Sequence, residues 1–325
     1  MWRLAGASKG GTMPTPATAH VSRIEAAISG GMAARSSLAA SWARSAQLYR
    51  LDPSARPREN RITAGELAQA RDRLGALLPT AAPHLDRLFQ MVGGLGGCIV
   101  LADAQGIAVD RRGAPGDDRA FEEQGLWTGT LWAEADVGTN GIGTCLAEGR
   151  AVTIHRDQHF LARNIGLSCS SAPVHGPDGH LAAVIDVSTA RPDLADAVAG
   201  LIGSTVAEVA RKVEADLFHL HFPRARVLQV PGLDRAMAAL LAVDADDLVI
   251  GATRAARQHL GLSGDLRAAP RLVADLLGLD GHDRLEDAER AVLTRALVRS
   301  SGNVSAAARA LGLSRATLHR KLDRG

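Results

Sequence analysis

Apolar residues recur along this chain in two rhythms. From Gly97 to Thr189 they come in short runs cut by turn residues. Cys98-Ile99-Val100-Leu101 and Ile107-Ala108-Val109 flank Asp103-Ala104-Gln105-Gly106, and the runs 167–174 and 181–187 flank Gly176-Pro177-Asp178-Gly179-His180. Such pairs predict two β-hairpins, and Ala151-Val152-Thr153-Ile154 predicts a further strand. Helical stretches fall between, at 117–126 and 142–148. Strands, helices and strands again within about 100 residues predict an α+β domain with an antiparallel sheet.

Elsewhere the rhythm is helical. Residues 21–73 read as a charged helical segment broken by the loop LDPSARPREN, and a helix over 64–91 leads into the sheet. Residues 193–222 carry Leu194, Val198, Leu201, Val206, Val209, Val213, Leu217 and Leu220, an apolar stripe along one long helix. The stripe suits pairing with a second copy, or packing on the chain's own sheet; both uses stay open. Residues 240–250 read strand, turn, strand, and a helix over 253–260 follows. A linker with one short helix fills 263–283.

The C-terminal stretch GNVSAAARALGLSRATLHRKL is the most constrained. Asn303 or Ser305 caps a first helix. Gly312 supplies the left-handed residue that ends it, and Ser314 caps a second helix, 315–323. Small Ala307 and Ala308 let the helices cross closely, and Leu311, Leu313, Leu318 and Leu322 form their contact. A third helix, 285–300, precedes them, with Leu285, Ala288, Val292, Leu293 and Ala296 along one side. Arg315, Thr317, His319, Arg320 and Lys321 remain on the outer face, the pattern of a DNA-reading helix.

Charge sharpens this picture. From Arg284 to Gly325 nine Arg and Lys face four Asp and Glu, a net of +5, while the whole chain stands at +2. An acidic body therefore carries a basic tail suited to a polyanion. The 325 residues suit two or three domains, and 46% hydrophobic content with 3% aromatics makes the cores aliphatic. Three widely spaced cysteines give no disulfide framework, so a reduced cytoplasm is expected. No apolar run reaches the ~20 residues of a membrane span. Residues 1–20, rich in Gly, Thr and Pro, read as a disordered leader without a signal region, with Met13 as an alternative start.

The two C-terminal helices, with the third before them, are similar to the Fis-type helix-turn-helix that ends many bacterial enhancer-binding transcription factors. Ser41-Trp42-Ala43-Arg44-Ser45 followed by Leu51-Asp52-Pro53 has the shape of a signature in regulators of the acetoin-catabolism type. Trp42 reads there as a buried anchor between helices. The run from Leu131 to Ser188, above all Gly138-Thr139-Asn140-Gly141-Ile142-Gly143-Thr144 and Ser168-Cys169-Ser170-Ser171-Ala172-Pro173, resembles the GAF sensor domain of that family. Residues 240–262 are similar to the opening of a PAS domain, with too few residues after them for its remaining strands.

These resemblances imply a GAF-like antiparallel sheet flanked by helices, a truncated PAS-like segment and a three-helix Fis-type unit. The implied division is leader 1–20, helical segment 21–73, sensor 74–222, PAS-like segment and linker 226–270, and DNA-binding unit 284–325. They imply a cytoplasmic transcription regulator, not an enzyme, whose sensor responds to a small-molecule effector and controls a homodimeric helix-turn-helix on double-stranded DNA. RNA polymerase or a regulator paralogue is a further partner; a membrane is not, and no cofactor is implied. The full-length relatives carry a central ATPase, but no Gly-x4-Gly-Lys-Ser/Thr occurs in these 325 residues. This chain is expected neither to hydrolyse ATP nor to remodel sigma-54 polymerase by itself. The alternative is a ligand-independent accessory protein that modulates a full-length paralogue. Some GAF proteins reduce methionine sulfoxide with cysteines, a pattern that the scattered Cys98, Cys145 and Cys169 match poorly.

The candidate chemistry follows. Gly138–Thr144 reads as a tight turn capped by Asn140 or Thr139 rather than a phosphate loop, since no Lys follows. His155, His159 and Cys169 have the types of metal ligands but lack a CxxC partner, so hydrogen-bonded histidines are expected and no metal. Cys169 is a core residue, a cavity wall or a redox sensor. By resemblance, Trp127, Trp132, His159, Phe160 and Cys169 line the effector pocket. By the same analogy Arg315 reads guanine with its guanidinium fork. Thr317, His319, Arg320 and Lys321 share base and phosphate contacts, and Asn303 and Ser305 hold phosphate at the first helix's start. His319 stands where the family often has Arg or Lys, which weakens that contact at neutral pH.

Overall fold

Asp103 and Gly106 show why the first hairpin turns where it does. The Asp103 carboxylate accepts the N–H groups of Gln105 (3.0 Å) and Ile107 (2.9 Å), and Gly106 takes a φ of 83°. In this computed structural model, which describes residues 15–55, 60–191, 196–233, 238–279 and 285–322, the strands are β1 Gly97–Asp103, β2 Ala108–Arg112, β3 Val152–His155, β4 Ser168–His175 and β5 Leu181–Thr189. They pair antiparallel in the order β2-β1-β5-β4-β3.

Both faces of this sheet are covered, which is why β1 is buried along its whole length and apolar from Cys98 to Ala102. Ile99, Leu101, Val109, Ile185 and Val187 point to one side. There α3 (Ala64–Leu74), α4 (Leu77–Val92) and the long α8 (Asp196–His221) pack. Cys98, Val100, Ala102, Cys169 and Val184 point to the other side. That layer holds α1 (Pro16–Ser29), α2 (Ser37–Ala43), α5 (Asp118–Glu123), α6 (Glu134–Val137) and α7 (Gly141–Glu148). The α+β expectation, a GAF-like sheet flanked by helices, is what the chain adopts.

Two local expectations change, and one alternative left open narrows. Helix α1 begins at Pro16 with Thr15 as cap, so residues 16–20 are helical rather than disordered leader; residues 1–14 lie outside the described ones. The single helix expected over 64–91 is two, because Gly75 takes a φ of 51° and breaks the run. The stripe of α8 is mostly core: Val206, Val209, Val213 and Leu217 are buried against the sheet and α4. Leu201 (69% exposed) and Leu220 (57%) stand out of it. At ~1.5 Å per residue they lie ~28 Å apart, too far to make one continuous seam.

Strands β6 (Arg226–Gln229), β7 (Leu240–Val243) and β8 (Leu248–Ala252) form an antiparallel sheet, followed by α9 (Arg254–Leu260). Asp244 shapes the β7–β8 turn by accepting the N–H groups of Asp246 and Leu248. Contacts divide the chain into Met1–Arg271 and Leu272–Gly325. The second unit has α10 (Val273–Leu277), α11 (Leu285–Arg299), α12 (Val304–Ala310) and α13 (Arg315–Leu322). Leu293, Ala296, Ala307, Ala308 and Leu318 make its buried core, with Leu311, Leu313 and Leu322 against them. Gly312 ends α12 at a φ of 65°. Val292, expected inside, is 42% exposed, and the Leu285 side chain lies outside the described ones. Among the described residues no helix is long and apolar enough to cross a membrane.

Candidate nucleic-acid interface and sensor cavity

Two caps set the helix-turn-helix. The Asn303 side-chain amide oxygen accepts the Ala306 N–H (3.1 Å), so Asn303 caps α12 and Ser305 is an exposed residue of its first turn. The Ser314 hydroxyl accepts the Thr317 N–H (3.1 Å) and pairs with the Thr317 hydroxyl (2.8 Å). Thr317 is therefore engaged at the cap. Leu318 is fully buried, which turns Arg315, His319 and Arg320 to solvent. Lys321 pairs with Glu289 of α11, so its ammonium is tied to its own unit. The exposed polar face comprises Asn303, Ser305, Arg315, His319 and Arg320. It also gains the exposed Arg309, in the last turn of α12, which is not among the expected DNA-contacting residues.

In the GAF-like domain, Trp127 and Trp132 line one cavity of about 340 Å³ with Leu131 and Val137. The Arg111 guanidinium stacks 4.4 Å from the Trp127 ring centroid, and the Trp132 indole N–H donates to the Gly125 carbonyl (3.0 Å). Arg61–Glu122 and Arg119–Glu123 ion pairs stand at its wall, with Arg163 beside them.

His159, Phe160 and Cys169 do not join this cavity. They are buried in the core layer next to it. Cys169 lies on β4 paired with Ile154, so it belongs to the sheet's packed face. One His159 nitrogen, Nδ1, lies 2.9 Å from the Arg156 carbonyl, and Nε2 lies 3.3 Å from Cys169 Sγ. A carbonyl only accepts, so Nδ1 carries the proton and Nε2 faces the thiol. Burial pushes His159 down to about 4, so the ring is neutral at physiological pH. Cys169 Sγ lies 3.0 Å from the Ser188 hydroxyl, which donates to Asp186 (2.6 Å); Ser171 donates to the other Asp186 oxygen (2.5 Å). Burial lifts Asp186 to about 6 and the Cys169 thiol well above its usual range. Cys98 is pushed up to about 12 and Cys145 higher still, again by burial. Protonated, buried thiols are poor nucleophiles, which argues against the cysteine-enzyme and redox-sensor readings. His155 bonds Ser168 (2.8 Å), and among the described residues no three metal-ligating side chains gather.

The glycine-rich turn is filled by protein. Asn140 caps α7 through the Gly143 N–H (2.9 Å) and donates to the Trp132 and Gly138 carbonyls. A Cβ at Gly141 would fall 2.5 Å from Ser171 Oγ, and one at Gly143 would fall 2.5 Å from the Trp132 carbonyl oxygen. That close packing explains the glycines without a phosphate.

The Ser-Trp-x-Arg-Ser signature locks the N-terminal helices onto this turn. Glu134 is 3% exposed. Arg44 pairs with both of its carboxylate oxygens, and the hydroxyls of Ser41 (2.6 Å) and Thr144 (2.8 Å) donate to it. Trp42 is buried and donates its indole N–H to the Gln158 carbonyl (2.8 Å).

Residues 15–209 match the family described as MimR, N-terminal domain, and residues 284–325 match the bacterial regulatory protein, Fis family. The acetoin catabolism regulatory protein of Cupriavidus necator is 33% identical over 277 residues, covering 81% of this chain and 41% of that protein. The propane 2-monooxygenase operon transcriptional activator MimR of Mycolicibacterium smegmatis is 34% identical over 102 residues, covering 31% of this chain and 18% of that protein. This chain thus spans well under half the length of either relative. Among solved structures, the E. coli DhaR(N)–DhaL complex contains a chain with a similar fold, at a TM-score of 0.51 and 18% identity, covering 73% of this chain and 81% of that one.

Proposed function

This chain belongs to the MimR N-terminal-domain family and carries a Fis-family helix-turn-helix, and on that premise we propose that it is a transcription regulator whose sensor cavity controls sequence-specific DNA reading. One observation carries the reading: Arg315, His319 and Arg320 stand exposed on α13 above a core closed by Leu318. Arg315, in the first turn, enters the major groove and bonds guanine through its fork. His319 and Arg320 follow with base or phosphate contacts, and Asn303, Ser305 and Arg309 reach phosphate from α12.

The effector is a small molecule held between Trp127 and Trp132. A cavity of about 340 Å³ is the size of ordinary small-ligand pockets, roughly 300–1,000 Å³. The protein works in the cytoplasm as a homodimer on paired half-sites. This rests on the half-site logic of the motif, since α8 spends most of its stripe on its own sheet. It acts on transcription through RNA polymerase or a longer regulator paralogue.

The test titrates purified protein with a panel of small metabolites and follows tryptophan fluorescence and DNA affinity together. One chemical class is expected to change both, with Trp127→Phe and Trp132→Phe altering the first. Fluorescence and affinity untouched by every compound would contradict the sensor. Sedimentation as a monomer at micromolar concentration would contradict the dimer.

A further inference from the structure

A second, larger cavity, about 910 Å³, lies between the tip of the β4–β5 hairpin and the β8–α9 pair. Its floor is apolar, made by Phe222, Ile250, Leu262 and Leu266. The floor is also fixed in place. The Phe222 ring lies so close over Gly251 that a Cβ there would come within 2.2 Å of it. The walls carry the opposite character: Arg254, Arg257 and Arg267, with His180 and His221 beside them.

The three arginines have different tasks. Arg257 donates to the Ala252 (3.0 Å) and Gly264 (2.9 Å) carbonyls, so it braces the wall. Arg267 lies over the Phe222 ring at 5.5 Å, and among the described residues its guanidinium has no hydrogen-bond acceptor. Arg254 is half-buried at the start of α9. Among the described residues none of the three has a carboxylate partner. Arg44, Arg111, Arg112 and Arg226 of the same unit each have one. The cavity's two carboxylates do not balance the charge by contact: Asp178 accepts the His180 backbone N–H (3.0 Å) and Asp265 that of Arg267 (2.8 Å). An apolar floor under guanidiniums that lack carboxylate partners among the described residues is complementary to an amphipathic anion. Guanidinium bonds an oxyanion with charge-assisted hydrogen bonds, and the floor removes hydrocarbon from water.

We propose that this cavity is a second ligand site, independent of the Trp127–Trp132 cavity, and that it takes a small organic anion. The carboxylate or phosphoryl oxygens meet Arg254 and Arg267, and the apolar body lies on Phe222, Ile250 and Leu266. Its walls come from both the sensor sheet and the PAS-like segment, so a bound anion ties the two together.

The test uses the full chain and two probes of one shape, 2-naphthoate and its uncharged amide, followed by calorimetry. Naphthoate is expected to bind one-to-one, about tenfold or more tighter than the amide. The double variant Arg254→Gln, Arg267→Gln is expected to erase that preference without shifting the melting temperature. Gln258→Trp, which adds bulk to the cavity from an exposed helix position, is expected to block both probes. Equal binding of the two probes, no naphthoate binding at millimolar concentration, or a preference that survives the double variant would each overturn the proposal. Naphthoate binding lost in Trp127→Ala but kept in Gln258→Trp would do the same, by placing the anion in the other cavity.

Discussion

Ser41, Arg44 and Thr144 close around the buried Glu134 carboxylate, whereas Arg315, His319 and Arg320 stand on an exposed helix face with no carboxylate partner among the described residues. Arginine serves opposite ends in the two regions, and the architecture explains it. The five-stranded sheet is covered on both faces, so polar groups between its layers must find partners inside the protein. Among the described residues the helical unit buries Leu293, Ala296, Ala307, Ala308 and Leu318 as its core, and Arg315, His319 and Arg320 stay outside. Burial separates the polar residues that hold this protein together from those proposed to meet a partner.

The strongest way to break this comparison is Glu134→Ala. It leaves Arg44, Ser41 and Thr144 without their shared acceptor, and breaking a buried pair costs ~3–5 kcal/mol. Urea unfolding followed separately for the two units is expected to show the whole loss in the sensor. An equal loss in the C-terminal unit would mean that the two do not divide labour in this way. Leu318→Ala is the converse. It is expected to cost the helical unit ~2–4 kcal/mol and to abolish DNA binding, while the sensor transition keeps its midpoint.

A third variant sharpens the sensor side through pH. Asp186 has a folded pKa of about 6, above its ordinary 3.8, because burial disfavours its charge. The folded state therefore prefers the protonated acid. Its contribution is fully present below pH ~4 and is lost as pH rises through about 6. Asp186→Asn, which stays neutral, is expected to gain stability relative to the parent from pH 4 to pH 8, by on the order of 2–3 kcal/mol. A difference that stays constant over that range would show that burial does not set the Asp186 charge.

What the sequence revealed divides along the same line. The β1–β2 turn was legible because Asp103 and Gly106 carry their turn chemistry locally, and so were Asn140 at its helix start and Gly312 at its helix end. The reading-helix pattern was legible because Leu318 and its exposed neighbours follow helical spacing. Partners distant in sequence were not. Arg44 and Glu134 lie 90 residues apart, and Lys321 reaches Glu289 across 32; no local pattern joins either pair. His159, Phe160 and Cys169 were expected beside Trp127 and Trp132. Strand alternation assigns Cys169 a face but does not say whether a cavity or a packed layer lies there. The stripe of α8 has the same ambiguity, since apolar spacing fits a sheet as well as a second helix.

The central claim, that the exposed face of α13 reads DNA sequence, is tested most directly by binding genomic fragments to the purified protein at one fixed salt concentration, with Arg315→Ala beside it. The account predicts selective capture of a few fragments by the parent. It predicts a loss of ~1–3 kcal/mol in affinity for them in the variant, with unchanged stability and unchanged weak binding to other DNA. Binding that is unselective in the parent and unaltered by Arg315→Ala would contradict it, and would make the basic C-terminal unit a structural or partner-docking bundle.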